Sequence, residues 1–309
     1  MLRLSKLSIL LVAVLPFPLA AKPAEPNSEK LKWVQELGYQ ADEVQSITLN
    51  SLGVPEILIK VDGMPVRVEF DTGNSGPLTL TTAVEKSTRY ELVGQQEELN
   101  PDGTHRGWSK AIRLKNVEIL GTVYKEVVAS LLDWKLTSDS PFNGLVGLKY
   151  LLRKRLTLDY KNRLLAITDK PLPQSVLTNS VFAVIPLLKA PEQQGEIVYV
   201  SGEVNGHKQT IYLDTGTVPS HVSPEAAVGS VSTTSRYHDF FKSDKKYKSI
   251  EVKLGQLIFR VNDIYESKTI SRGTHFEHAV GLVLGSDKLK DLIMTIDKIG
   301  ERLIIRGNN

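Results

Sequence analysis

"VRVEFDTGNSGPLTLT", residues 66–81, runs an apolar strand straight into Asp71-Thr72-Gly73 and then into a turn of small residues. A carboxylate at the end of a buried strand is costly to desolvate. Either the aspartate caps its own turn, or it is an acid with work to do. The pattern recurs. "QTIYLDTGTVPSHVSPEA" ends a second apolar strand in Asp214-Thr215-Gly216, at an offset of 143. Short hairpins precede both, "VDG" at 61–63 and "VNG" at 204–206, each with its glycine eight residues before the aspartate. That spacing suits a tight turn feeding the strand that delivers the carboxylate.

The repetition extends further. "GLKYLLRKRLTLDYKNRLLAI" (147–167) aligns without gaps on "GSDKLKDLIMTIDKIGERLII" (285–305), now at an offset of 138, and Gly147/Gly285, Thr157/Thr295 and Asp159/Asp297 are among the identical pairs. Between these landmarks, "SKAIRLKNVEILG" and "YKSIEVKLGQLIF" correspond as alternating strands, each followed by another strand. The smaller offset makes the second copy five residues shorter, a difference expected in its tip loop. Landmarks that recur in the same order mark an internal duplication rather than a chance likeness of two β-rich stretches. The repeated unit is rich in Val, Ile, Thr and Tyr between Gly, Asn and Asp turns, which predicts an all-β fold of two homologous lobes with few short helices. Helices are expected near 148–154 and 286–292. Asp159 and Asp297 are expected to cap hairpins.

Residues 1–21 read as a cleavable signal peptide: Arg3 and Lys6, an uncharged apolar run, then "LAAK". The run is too short and too interrupted by proline for a good membrane span. The mature chain is therefore expected in the periplasm or outside the cell, with no membrane span. Residues 22–50 form an N-terminal extension, a pro-segment or a short helix capped by Ser28. The first lobe is expected over 51–170, a crossover over 171–195 and the second lobe over 196–309. There is no cysteine, so a packed core and not a disulfide framework must carry stability. The formal net charge is +3, two units of it from the leader. No basic stripe interleaved with aromatic residues points to nucleic acid. A monomer is expected.

Two Asp-Thr-Gly turns, one from each lobe, have a direct chemical meaning. Brought together by a two-fold axis, the aspartates cannot both ionise readily and share one proton. One carboxylate can then take a proton from water while the other protonates a carbonyl oxygen. No metal or other cofactor is needed. Glycine permits close backbone approach, and a threonine hydroxyl can brace the opposite turn. On these residues, with "LVG" at 145–147 and "VLG" at 283–285, the chain resembles the aspartic peptidases of the pepsin and retropepsin type. The likeness spans about residues 55–305 and is closest to compact, bacterial-looking retropepsin units joined in tandem. It implies a bilobal aspartic-peptidase fold around a central cleft, an endopeptidase acting on extended peptide or protein substrates, and a catalytic pair Asp71 and Asp214. It further implies support from Thr72, Gly73, Asn74, Thr215, Gly216 and Thr217, and loops completed by Leu145, Val146, Gly147, Val283, Leu284 and Gly285.

Asn74 departs from the pattern, since the family usually has Ser, Thr or Ala there, as Thr217 does in the second copy. The best flap candidate is "ELNPDGTHRGW" (98–108), with a tip at Pro101, Asp102 and Gly103. Its counterpart lies near "FFKSDKKYK" (240–248). The alternative function is a catalytically inactive, peptide-binding relative in the cell envelope. A serine-protease reading of "GNSGP" fails for want of a matching histidine. "HFEH" (275–278) lacks the spacing of a zinc-binding helix.

Overall fold

The computed structural model describes residues 32–76, 78–99, 105–133, 143–178, 182–189, 196–237, 243–268, 270 and 276–306. The expected leader, the Ser28 cap, the tip Pro101-Asp102-Gly103 and His275 lie outside them.

The described chain begins with a short helix, α1 (Lys32–Glu36), and strand β1 (Val44–Ser46). The first lobe comprises β2 (Thr48–Leu49), β3 (Pro55–Val61), β4 (Met64–Phe70), β5 (Thr79–Thr81), β6 (Glu91–Leu99), β7 (His105–Ile119), β8 (Thr122–Leu132) and β9 (Gly144–Val146). It is followed by β10 (Arg155–Asp159), β11 (Leu164–Thr168), α2 (Gln174–Thr178) and β12 (Phe182–Leu188). The second lobe comprises β13 (Val198–Val204), β14 (His207–Asp214), β15 (His221–Val222), β16 (Ser232–Tyr237), β17 (Ser243–Leu254), β18 (Leu257–Glu266) and β19 (Val280–Gly285). Helix α3 (Ser286–Leu289) and strands β20 (Ile293–Asp297) and β21 (Arg302–Arg306) close it.

The duplication is visible in the strand order. The first lobe runs β2-β3-β4-β9-β5-β8-β7-β6 and the second β13-β14-β19-β15-β18-β17-β16, with β3–β7 and β13–β17 as matching extra pairings. Both hairpins ahead of the aspartates place two residues at positive φ, Asp62 and Gly63 in one, Asn205 and Gly206 in the other. That is the backbone a two-residue hairpin with the native strand twist requires. Even the side chains repeat their role: Asp62 Oδ1 accepts from Asn116 N at 3.0 Å, and Asn205 Oδ1 from Glu251 N at 3.0 Å. This pair corrects the register read from sequence. Glu251 stands where Asn116 stands, three residues away from the equivalence drawn between "SKAIRLKNVEILG" and "YKSIEVKLGQLIF". The second copy loses more than five residues ahead of β17 and regains some between β18 and β19. Buried positions change phase in both strands, between Leu114 and Val117 in β7 and between Tyr247 and Ile250 in β17, so alternating stretches still superpose after a shift of three and could not fix that register.

The lobes share a base. Strands β1-β11-β10-β20-β21-β12 form a continuous run that passes on into the second lobe through β13. At its centre β10 and β20 pair with Thr157 opposite Thr295, their hydroxyls 2.7 Å apart. Asp159 and Asp297 cap the turns after these strands, as expected. Asp159 accepts from Asn162 N at 3.0 Å, and Asp297 from Ile299 N and Gly300 N at 3.1 Å. The segment after Gly147 winds as a single 3-10 turn (Leu148–Leu151), shorter than expected.

Residues 32–46 are built into this base. Trp33, Val34, Leu37 and Tyr39 are buried against Leu164, Ala166, Val176, Phe182 and Ile304. Trp33 Nε1 donates to Asp159 Oδ2 at 2.8 Å, and Tyr39 meets Thr157 at 2.8 Å. The buried Arg155 guanidinium lies over the Tyr39 ring and donates to the Leu37 carbonyl. No helix among the described residues is long and apolar enough to cross a membrane.

Because Trp33 is only 1% exposed and its indole satisfies a buried carboxylate, Trp33→Ala should cost about 3–5 kcal/mol of stability. Urea unfolding of wild type and variant measures it. A chain truncated to begin at residue 40 that unfolds at the wild-type midpoint would show that this segment is a dispensable arm.

Candidate active site

The two Asp-Thr-Gly turns meet. Strand β4 ends at Phe70 and β14 at Asp214, so equivalent positions of the two lobes point at one another across the pseudo-two-fold axis. A reciprocal lock joins them. Thr72 N donates to Thr215 Oγ1 at 2.9 Å, and Thr215 N donates to Thr72 Oγ1 at 3.0 Å. Each hydroxyl then donates onward across the axis, Thr72 to the Leu213 carbonyl at 2.8 Å and Thr215 to the Phe70 carbonyl at 2.5 Å. Both threonines are 0% exposed. Each hydroxyl accepts one bond and donates one, so neither buried group is left unmatched.

The lock brings Asp71 and Asp214 within hydrogen-bonding reach of each other. The glycines make room. A Cβ on Gly216 would sit 2.4 Å from Asp71 Cγ, and one on Gly73 would sit 2.5 Å from Asp214 Cγ. Each glycine of one turn thus forms the floor under the carboxylate of the other. Gly73 N donates to Asp71 Oδ1 at 2.7 Å and Gly216 N to Asp214 Oδ1 at 2.9 Å. Burial first, and the neighbouring Asp214 second, hold the Asp71 carboxyl well above the ordinary carboxylate range. That is the behaviour of a like-charge pair in a dry site.

The apolar-apolar-Gly elements complete the turns. Strand β9 runs parallel to β4, with Leu145 beside Glu69 and Val146 beside Phe70, and β19 runs parallel to β14. Asp71 N donates to the Val146 carbonyl at 3.0 Å. A Cβ on Gly147 would strike the Asn74 carbonyl oxygen at 1.9 Å, and one on Gly285 the Thr217 carbonyl oxygen at 2.1 Å. Leu145, Val146, Val283 and Leu284 are buried beneath.

The expected difference between Asn74 and Thr217 has a structural form. Thr217 Oγ1 donates to Asp214 Oδ2 at 2.6 Å, whereas Asn74 Oδ1 accepts from Gly76 N at 2.9 Å. The flanks of the flap candidate do pair, β6 with β7, and β16 pairs with β17 in the second lobe. Among the described residues no group of three His, Asp or Glu is disposed to hold a metal ion. A recess of about 290 Å³ opens beside Glu203, Lys208 and Lys253, at the far end of β14 from Asp214.

Two participants were not singled out from sequence. Glu69 and Tyr212 each precede their aspartate by two residues, so strand alternation sets them on the same face as the aspartates. That period was available in the sequence. Glu69 is 6% exposed and bonded by Asn50 Nδ2 at 2.6 Å. Burial, with Glu56 opposite it on β3, raises its carboxyl to about 7. Tyr212 lies with its hydroxyl against Asp214.

No family model matches the chain, and no curated protein matches it. Among solved structures, the crystal structure of an aspartic proteinase from Irpex lacteus is similar, with a TM-score of 0.58 at 12% identity over 86% of this chain and 98% of that one. The fold is thus the bilobal fold of the aspartic proteinases.

Two outcomes follow from this geometry. Gly73→Ala or Gly216→Ala forces a carboxylate to move and should cost about 1–3 kcal/mol by overpacking, read as a lower urea midpoint. Glu69 holds its proton in the folded chain at a pH where the unfolded chain has lost it, so folding is penalised as pH rises from about 4.5 through about 7. The penalty above that range is on the order of 3 kcal/mol. Glu69→Gln should therefore gain stability at pH 8 and little at pH 4. A variant whose thermal midpoint tracks wild type at both pH values would refute the burial of an ionisable Glu69.

Proposed function

We propose that the protein is an aspartic endopeptidase in which a water held between Asp71 and Asp214 attacks a peptide bond. One observation carries the reading: the reciprocal Thr72–Thr215 bonds set two carboxyl groups in contact over glycine floors, with one of them held protonated beyond its usual range. In the reaction the ionised carboxylate accepts a proton from water, and the water oxygen bonds to the carbonyl carbon. The protonated carboxyl gives its proton to the carbonyl oxygen. Collapse of that tetrahedral species breaks the C–N bond: the proton held by the base passes to the leaving amine, and one of the two hydroxyl protons returns to the carboxylate that had acted as acid. No metal or cofactor takes part. We further propose that the substrate is an extended peptide or protein, that the chain acts as a monomer, and that the leader at 1–21 directs it to the periplasm or the medium.

The test is cleavage of a peptide library by the mature protein from acidic to neutral pH, with and without a statine-type inhibitor. Asp71→Asn and Asp214→Asn should each lose nearly all activity, because acid and base act as a unit. Folding should survive, since each change relieves a like-charge pair. Wild type that cleaves while either variant keeps more than about a hundredth of its rate would overturn the assignment. Wild type that binds library peptides without cutting them would establish the inactive, peptide-binding alternative.

A further inference from the structure

Strand pairing carries one row of side chains across each lobe, on the face that holds the aspartate. In the first lobe Glu56 on β3 stands opposite Glu69 on β4, Glu69 beside Leu145 on β9, Leu145 opposite Thr79 on β5, and Thr79 beside Ser130 on β8. Their chain neighbours Ile57, Phe70, Val146, Leu80 and Leu131 lie in the core, so alternation turns the row away from it. Asp71 follows Phe70 and shares the face of Glu69. In the second lobe the matching row runs through Tyr199, Tyr212 and Val283, and it packs as an apolar cluster with Val280, Ile270 and Phe276. The wall beside Asp71 is acidic and hydroxylic where the wall beside Asp214 is aromatic.

We infer that Glu69 is a specificity-determining residue that selects a lysine or arginine side chain at one of the two substrate positions flanking the cleaved bond, the one on the Asp71 side. This rests on the endopeptidase reading and names the substrate class within it.

The acids of the row lack a counter-charge. Asn50 Nδ2 donates to Glu69 Oε1 at 2.6 Å, and the Thr48 hydroxyl donates to Glu56 Oε2 at 3.0 Å. Both donors are neutral, and among the described residues no cationic side chain pairs with either carboxyl. Arg67, on the same face, bonds the Thr48 hydroxyl instead, at 2.5 Å. Like charges directly opposite on neighbouring strands are destabilising, and a buried carboxylate without a cation is costly. Glu69 is 6% exposed. An arrangement that the fold alone makes unfavourable becomes favourable when a ligand brings the missing charge.

The same row holds a second group in want of a partner. Ser130 Oγ is buried and has no hydrogen-bond partner among the described residues, although buried hydroxyls are nearly always bonded. Register sets it on the Glu69 face, further along the row, where an extended peptide lying over the row supplies polar groups.

The selection depends on pH. The charged groups facing Glu69 are Glu56 from β3, Arg67 and Asp71 from its own strand and turn, and Asp214 from β14. Burial first, and Glu56 after it, raise the Glu69 carboxyl to about 7. Below that pH the residue is neutral, and above it a charge faces the substrate. Selection of a cation therefore strengthens as pH rises through about 7.

The experiment compares kcat/KM for matched peptides that carry arginine or citrulline, its neutral isostere, at each flanking position in turn. Wild type and Glu69→Gln are assayed at pH 5 and pH 8, with melting temperature as a check on folding. In wild type at pH 8 arginine should be preferred by about tenfold at one flanking position, the scale of one charge-assisted hydrogen bond, and by less at pH 5. In Glu69→Gln the preference should fall to near unity at both pH values. Wild type that prefers arginine at neither position overturns the inference without any variant. So does a folded Glu69→Gln that keeps the preference. Wild type that cuts none of the peptides would sink the endopeptidase reading instead, and the calorimetric affinities of the uncut arginine and citrulline peptides for wild type and Glu69→Gln would still decide the selection.

Discussion

The reciprocal bonding of Thr72 and Thr215 is the contact on which the rest of the site depends. Two carboxylates held close and both ionised repel by about 4 kcal/mol even at a moderately high effective dielectric. Something must hold them together, and something must let them share a proton. The four bonds through the two threonines do the first, each worth about 1 kcal/mol net and none leaving an unmatched atom in the interior. Burial does the second by making the doubly charged state costly. The glycines decide how near the carboxyl groups come, since each sits where a methyl group would collide with the opposite aspartate.

A two-fold pair of turns would by itself make two equal acids, and the proposed hydrolysis needs one acid and one base. The structure breaks the symmetry at the nearest available positions. Thr217 bonds the Asp214 carboxylate while Asn74 turns its carbonyl oxygen to Gly76. Tyr212 precedes Asp214 by two residues where Glu69 precedes Asp71. These differences leave the backbone alone: both hairpins, both parallel strand pairs and both floors are kept. Duplication supplies the geometry, and a few side chains supply the chemical difference.

Most of this was legible in the chain. The two Asp-Thr-Gly turns, the "VDG" and "VNG" hairpins and the two apolar-apolar-Gly elements fixed the lobes and their pairing, because each landmark meets a strict steric demand that few residues satisfy. The middle strands were misregistered, because "SKAIRLKNVEILG" and its counterpart carry an alternating pattern without a unique landmark. The Asn116 and Glu251 contacts to the hairpin turns settle the register, and the pairings of Val61 with Val117 and of Val204 with Val252 agree with it. Glu69 was passed over as one charge in an otherwise apolar strand, although its spacing from Asp71 puts it on the same face. Trp33 escaped notice for a different reason. Its partner Asp159 is more than a hundred residues away, and no local pattern announces a contact of that range.

The proposed chemistry would need its geometry held to within about half an ångström, and the base of the molecule joins the two lobes by buried bonds. Two threonine pairs lie on the pseudo-two-fold axis: Thr72 with Thr215 at the site, Thr157 with Thr295 in the sheet beneath. A third connection runs between them. Tyr160, in the turn after β10, meets the Ser286 hydroxyl at 3.0 Å, and Ser286 donates to the Thr215 carbonyl at 2.6 Å. The turn that carries Asp214 is thereby tied to a strand that follows the first lobe. The N-terminal segment clamps the same strand from below, through Trp33 on Asp159 and Tyr39 on Thr157. Buried bonds thus join the two lobes both at the turns that carry the aspartates and at the sheet beneath, and a shift of one lobe against the other would break them.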